Sequence, residues 1–119
     1  MTVEETLSAC LLAATDLAGI KVRAELAQPA DSTPYIVHTQ VSGTRINSLL
    51  GDSGLANPHF QIDVYADTKA KTTALKKAIR VAVLASQPLG AVLVSEGSGY
   101  EPLTKLYRYR QDFSFWFQD

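Results

Sequence analysis

The fold of this chain is decided by one stretch, FQIDVYADTKAKTTALKKAIRVAVLAS at residues 60–86. In residues 60–66 apolar and polar side chains alternate, which is the period of a strand with one buried face. In residues 68–86 the apolar side chains instead recur every three or four positions, as in an amphipathic helix. Either Asp67 or Thr68 can cap that helix. The stretch therefore predicts a strand that runs directly into a helix.

Similar patterns predict the other elements. An amphipathic helix is expected over residues 2–17, where Thr2 and Glu5 have the spacing of a capping box. Residues 20–26 alternate as a short strand does, although an extended connection fits them equally well. Further strands are predicted at residues 35–41, 91–95 and 104–118.

The order of these elements indicates the fold class. Strands follow one another with two helices among them, and hairpins are expected on either side of the second helix. This order predicts an α+β, two-layer sandwich, with two helices packed on one face of a mainly antiparallel sheet of four or five strands. The buried face is expected to carry Phe113 and Phe115, packed against Leu75, Ile79 and Ala82 of the second helix.

Two segments carry turn and loop residues. Glycines and a proline interrupt residues 42–58, which predicts a long loop. Either this loop is a contact element, mobile in the free subunit and ordered on assembly, or it is a flexible loop without a contact role. Residues 96–102 contain Gly97, Gly99 and a proline, which predicts a turn.

Length and composition restrict the class of protein. The 119 residues, 46% of them hydrophobic, suffice for a single domain over residues 1–119 with one core. A net charge of -1 argues against a dedicated nucleic-acid binder. No segment approaches the roughly 20 apolar residues of a membrane span. Glu4 and Glu5 argue that the N-terminus is mature sequence rather than a signal peptide.

The residues give little support to catalysis. Cys10 falls on the apolar stripe of the first helix, so a buried position is expected. His38 and His59 could act as bases, but neither has a sequence-adjacent partner, and with a single cysteine they cannot supply a zinc cluster. Asp63 and Asp112 could be paired catalytic carboxylates, yet cross-strand salt bridges or plain solvation explain them better. We therefore expect no enzymatic activity, no cofactor and no metal.

Two surfaces remain to be explained. The sheet face opposite the predicted core carries tyrosine, tryptophan and arginine, the residue types enriched in protein interfaces. It is a candidate assembly interface, formed by Asp63, Tyr65, Arg108, Arg110 and Trp116. One side of the second helix carries Lys69, Lys76 and Arg80, with Lys71 and Lys77 nearby; this basic stripe either contacts phosphates or is simply solvated.

Three segments resemble a known family. They are the strand at residues 60–66 with its following helix, the terminal YRYRQDFSFW at residues 107–116, and the strand entry PYIV at residues 34–37. Together they are similar to the tail-completion, or tail-terminator, proteins of long-tailed bacteriophages and prophages. The similarity covers nearly the whole chain in element order, and its motifs are structural rather than catalytic.

The resemblance implies a structural virion protein. Such a subunit forms a ring, typically a hexamer, that ends the tail tube and joins the tail to the head. Its partners would be other copies of itself, the tail tube protein and the head-neck connector protein. It would bind no membrane and no specific nucleic acid, although DNA could pass through the ring. It would occupy the bacterial host cytoplasm during assembly and then the virion tail. Neck and minor tail proteins have similar size and composition.

The rival interpretation is a small-ligand-binding or enzymatic α+β sandwich domain. In that case the open sheet face would form a pocket rather than a protein interface. The chain lacks a phosphate-binding glycine loop, and its histidines and cysteine have no sequence-adjacent partners. These features favour the structural role.

Overall fold

Two helices lie on one face of a mixed sheet in the computed structural model, which describes residues 2–17, 19–25, 33–48 and 51–118. Side chains are described for these residues except 42–48, 51–56 and 118. The helices are α1 (Val3–Ala13) and α2 (Lys69–Ala85), and the strands are β1 (Lys21–Ala24), β2 (Tyr35–Ser48), β3 (Gly51–Ala66), β4 (Val92–Glu101), β5 (Leu106–Ser114) and β6 (Phe117–Gln118).

The sheet has the strand order β1-β2-β3-β5-β4, and the short β6 pairs with the distal part of β3. Only β1 and β2 run parallel; the other neighbours are antiparallel. The hairpin β2–β3 precedes α2, and the hairpin β4–β5 follows it. The predicted α+β sandwich, with its mainly antiparallel sheet and its hairpins on either side of the second helix, is confirmed.

Side-chain caps define where both helices begin. The Thr2 hydroxyl accepts a hydrogen bond from the Glu5 amide at 3.1 Å, and the Glu5 carboxylate accepts one from the Thr2 amide at 3.3 Å. This is the predicted capping box. Thr68 caps α2 by accepting from the Lys71 amide. The first helix is shorter than predicted, since α1 ends at Ala13 and a separate 3₁₀ turn follows it.

The core lies between the helices and the inner face of the sheet. Phe60, Phe113 and Phe115 are almost fully buried, with Phe60 and Phe115 stacked at a centroid distance of 5.4 Å. They join Leu7, Leu11, Ile36, Ile62, Val64, Ile79 and Val83 in one cluster. The predicted buried parity of the central strands is therefore confirmed. Of the predicted α2 contacts, Ile79 is buried, Leu75 packs partly buried against the cluster, and Ala82 lies toward α1.

The prediction of a long loop at residues 42–58 is wrong. These residues belong to β2 and β3, which stay paired from Tyr35↔Tyr65 out to Ser48↔Gly51, with residues 49–50 outside the described part. Each strand satisfies the backbone groups that face it on the other. Polar residues and glycines are tolerated in a two-stranded ribbon because neither face needs a continuous apolar row. The expectation that this segment is a contact element, mobile in the free subunit and ordered on assembly, stays a prediction.

Two further boundaries differ from prediction. The predicted turn at residues 96–102 is the second half of β4, and the chain reverses only over residues 102–105. The Arg108 guanidinium lies 3.1 Å from the position that a Cβ at residue 99 would take. Gly99 has no side chain and therefore leaves this space to Arg108. The predicted strand at 104–118 is broken after Ser114, where the Phe115 and Trp116 amides donate to Pro58 and Leu89 carbonyls.

Candidate assembly interface

The outer face of the sheet is the face that the helices do not cover. Strand register places its side chains in cross-strand rows. One row joins Tyr35, Tyr65 and Arg108, the next joins Val37, Asp63 and Arg110, and the third joins Thr39, Gln61 and Asp112. Four of the five predicted interface residues, namely Asp63, Tyr65, Arg108 and Arg110, therefore form one contiguous block on β3 and β5.

An ion pair lies at the centre of this block. Arg110 Nε donates to Asp63 Oδ1 at 3.1 Å, and the Gln61 amide donates to Asp63 Oδ2 at 3.1 Å. The Asp63 side chain is only 7% exposed, whereas that of Arg110 is 39% exposed. The predicted cross-strand salt bridge is confirmed. It also means that Arg110 has a structural role within the subunit, besides presenting part of its guanidinium to solvent.

Arg110→Ala should therefore destabilise the subunit itself. Removing the guanidinium leaves a buried carboxylate with one of its two side-chain partners, which costs about 1–3 kcal/mol. Chemical denaturation would measure the loss, with Lys77→Ala on the exposed side of α2 as the control for removing a cation. Adding Asp63→Asn to Arg110→Ala should recover part of the stability, since the amide carries no charge. Equal stability of Arg110→Ala and the wild type would contradict this role.

Aromatic and basic groups share the next row. The Tyr65 ring stacks on Tyr35 at a centroid distance of 5.0 Å, and Arg108 forms an ion pair with Glu101 at 3.5 Å. Burial raises the pKa of Tyr65, assisted by the negative charges of Asp63 and Glu101 and opposed by Arg108. The tyrosine thus stays a neutral donor. The row offers a flat aromatic surface beside a half-exposed cation, a combination typical of protein contacts.

The structure does not bring Trp116 into this block. It lies beyond the end of β5, six positions from Arg110, which is roughly 20 Å along an extended chain. Its backbone packs against Gly90, where an added Cβ would come within 2.9 Å of the Trp116 carbonyl oxygen. The indole is 46% exposed. Trp116 is therefore a separate exposed aromatic at the end of the sheet.

Two of the five residues of the basic stripe on α2, Lys71 and Lys76, are paired within the chain. Lys76 donates to the Tyr109 hydroxyl at 3.1 Å and to Glu96 at 3.4 Å. The Tyr109 hydroxyl also donates to Glu96, at 2.9 Å. At the start of the helix, Lys71 pairs with Asp67. The Lys76 contacts join α2 to the β4–β5 hairpin, whereas Lys69, Lys77 and Arg80 form no ion pair with a described residue.

One polar pair was missed by sequence reasoning. Ser8 on α1 and His38 on β2 form a hydrogen bond between Oγ and Nε2 at 3.0 Å. His38 is 2% exposed, and its Nδ1 has no hydrogen-bond partner among the described residues. A nucleophile–base pair needs a group that orients the base, and none is placed at Nδ1. The pair therefore serves as a hydrogen bond between α1 and the sheet. Sequence spacing does not reveal such a tertiary contact.

His38 makes stability depend on pH. Burial lowers the pKa of His38, more strongly than Glu4 and Glu25 raise it. The unfolded imidazole, with a pKa of about 6.5, therefore takes up a proton more readily than the folded one. The stability that the neutral His38 allows is therefore fully present above pH ~6.5, and it decreases as the pH falls below that value. We expect the melting temperature to fall from pH 7.5 to pH 5.5 by less in His38→Gln than in the wild type; identical pH profiles would contradict this.

The other candidate catalytic residues are dispersed. Cys10 was predicted to be buried in the core, but it is only partly buried. Its thiol donates a hydrogen bond to the Ala82 carbonyl, which links the two helices. Burial raises the pKa of Cys10, which keeps it a thiol. His59 forms a hydrogen bond with Asn57 and lies on the outer face of the sheet. Among the described residues no cluster of three or more histidine, cysteine or acidic side chains could hold a metal ion.

Comparisons with known proteins match this chain to a protein family and to solved structures. The family described as Tail completion protein gp17 matches residues 5–118. A chain from the structure titled "Virion of native gene transfer agent (GTA) particle" has the same fold, with a TM-score of 0.70, 18% sequence identity, and coverage of 98% of this chain and 95% of that one.

No curated protein sequence matches the chain. Neither described helix is long and apolar enough to cross a membrane. The family match spans nearly the whole sequence and agrees with the α+β architecture and its open outer face. The chain therefore belongs to the family of the bacteriophage tail completion protein gp17, and it is a structural component of a virion tail.

Proposed function

We propose that this chain assembles into a closed ring, hexameric as the resemblance implies, that ends the tail tube and joins the tail to the head. Its partners are other copies of itself, the tail tube protein and the head-neck connector protein. Assembly takes place in the bacterial host cytoplasm, and the ring then remains in the virion. The subunit is not an enzyme, and DNA passes the ring without specific recognition.

The observation that carries the proposal is the outer face. It is a sheet surface without a helical layer, and its centre combines an ion pair, stacked tyrosines and a half-exposed arginine. An antiparallel sheet can leave one face in water, but tyrosine and arginine are enriched where a protein surface meets a partner. Asp63, Tyr65, Arg108 and Arg110 are thus proposed as the centre of a subunit contact, and Trp116, which lies apart from them at the end of the sheet, as a separate contact residue.

The rival function as a ligand-binding domain has weaker support. The groove between α1 and α2 has a volume of about 480 Å³, but alanines form half of its lining. On the outer face, a shallow depression of about 280 Å³ lies over Gly97 between Arg108, Arg110 and Asp112. Their polar groups are already engaged with Glu101, Asp63 and Ser95, respectively. Neither space holds a set of unpaired polar groups converging on one point.

A genetic experiment tests the structural role. The coding sequence of this chain would be deleted from the phage or prophage genome that carries it, and particles would be examined by electron microscopy. We expect heads and tails to accumulate separately, and a plasmid copy of the wild type to restore joined particles. Copies carrying His38→Gln, His59→Gln or Cys10→Ser should restore them equally well. Normal particles after deletion, or failure of a well-folded histidine or cysteine variant, would contradict the proposal.

A further inference from the structure

Strand β4 forms one edge of the sheet. It pairs with β5 on one side, and no described strand lies on the other. Its pairing is regular from Ser95 to Glu101, after an irregularity between Leu93 and Ser95. These seven residues present a row of backbone donors and acceptors at the edge, and unpaired edges of this kind readily accept another strand.

Residues 95–101 lack two of the features that prevent such pairing, a proline and a lysine. Their two charged side chains are held on the sheet faces, Glu96 by Lys76 and Tyr109 and Glu101 by Arg108. Gly97 has no described atom within 4 Å of its Cβ position. At Gly97 an approaching strand would therefore meet open space.

A second edge lies at the opposite side of the same sheet. Strand β1 covers β2 only from Tyr35 to His38, and beyond that point no described strand pairs with the outer side of β2. The ladder between β2 and β3 is regular from Ser42 to Ile46, between two irregularities. One subunit therefore presents two edges, β4 and distal β2, that face away from each other.

Charge favours pairing between these two different edges. Residues 95–101 contain two acidic residues and no basic one, whereas residues 42–46 contain one arginine and no acidic residue. Two β4 edges related by a two-fold axis would bring acidic residues close together, which is unfavourable. A contact between two different surfaces of identical subunits continues from copy to copy and closes into a ring when the rotation allows.

We infer that residues 95–101 of β4 pair, as an added strand, with residues 42–46 of β2 in a second copy of this chain. The sheet would then continue across each subunit boundary through backbone hydrogen bonds. This inference rests on the proposed ring and deepens it, because it names the backbone contact between neighbours. Arg108 and Arg110 lie on β5, next to β4, so the outer-face block and this strand pairing would belong to one subunit contact.

Cross-linking of mixed single-cysteine variants tests the inference. In a Cys10→Ser background, Ser98→Cys and Thr44→Cys would be prepared separately and treated with a flexible bismaleimide. Each variant alone should stay monomeric on a denaturing gel, whereas their mixture should give a covalent dimer. A chain carrying both substitutions should give a ladder of dimers, trimers and higher species. Lys77→Cys, on the exposed side of α2, replaces Ser98→Cys in the control mixture and should give no dimer.

The outcomes distinguish failure of the edge pairing from failure of the ring itself. If light scattering shows an oligomer but the mixture gives no dimer, the edge pairing is wrong and the ring survives. A dimer from Ser98→Cys alone would show β4 pairing with β4 and overturn the inference. If wild type and variants are monomeric at every concentration, the ring and the edge pairing both fail.

Discussion

Phe115→Ala should reduce the free energy of unfolding by about 3–5 kcal/mol, the range found when a buried phenylalanine is truncated. Phe115 is 0% exposed and lies between Phe60 and Phe113, with centroid distances of 5.4 and 6.2 Å. Its amide also donates to Pro58, which fixes the backbone beyond β5. The neighbouring rings cannot collapse into the space because both are held in strands. Urea denaturation followed by circular dichroism would measure the loss.

Leu103→Ala is the matched control for this substitution. Leu103 is 100% exposed in the turn between β4 and β5, so truncation removes no packing and should change stability by less than about 0.5 kcal/mol. If Phe115→Ala unfolds at the same urea concentration as Leu103→Ala, the assignment of the buried face is wrong.

Arg108→Ala should weaken assembly without unfolding the subunit. Its partner Glu101 is 39% exposed and can be solvated when the guanidinium is removed. A contact at the centre of an interface contributes about 2 kcal/mol or more, so the concentration at half-assembly should rise about 30-fold. Sedimentation velocity over a dilution series would measure it.

Lys77→Ala removes one cation from the exposed side of α2 and serves as the control for charge. It should assemble like the wild type. If Arg108→Ala keeps its native spectrum and assembles at the same concentration as Lys77→Ala, the outer-face block is not the subunit contact. Trp116→Ala would then be examined next, because that indole is the exposed aromatic at the end of the sheet.

The sequence allowed accurate prediction where local signals and periodicity agree. The caps at Thr2 and Thr68 are local hydrogen bonds between residues three apart, so the composition of a few positions determines them. The buried parity of β3 and β5 follows from alternation, because one side of those strands meets the helices. The same parity placed Asp63, Tyr65, Arg108 and Arg110 on one face.

Features that depend on partners distant in sequence were missed. The β2–β3 ribbon at residues 42–58 is held by pairing between strands, and its glycines and polar residues resemble a loop when taken alone. In the second half of β4, the absence of a side chain at Gly99 leaves room for the Arg108 guanidinium, whereas the space at Gly97 is open. The ion pair between Arg110 and Asp63 was predictable in kind, but the depth of burial of Asp63 required the packed sheet.

The Ser8–His38 contact has the same origin. The two residues are 30 positions apart and meet only because α1 packs over β2. For Trp116 the sequence pattern was misleading, because alternation continues through residue 118 and predicted one long strand. The backbone instead leaves the ladder at Phe115 to bond with Pro58 and Leu89, and the exposed indole is thereby separated from the outer-face block.

The mass of the wild-type chain in solution tests the central claim most directly. Static light scattering would be recorded over a concentration series at pH 7.5, where His38 is neutral in both folded and unfolded chains. We expect a concentration-dependent rise from the 12.9 kDa subunit to a discrete species of about six times that mass. A constant mass of one subunit up to the highest soluble concentration would contradict a self-assembling ring.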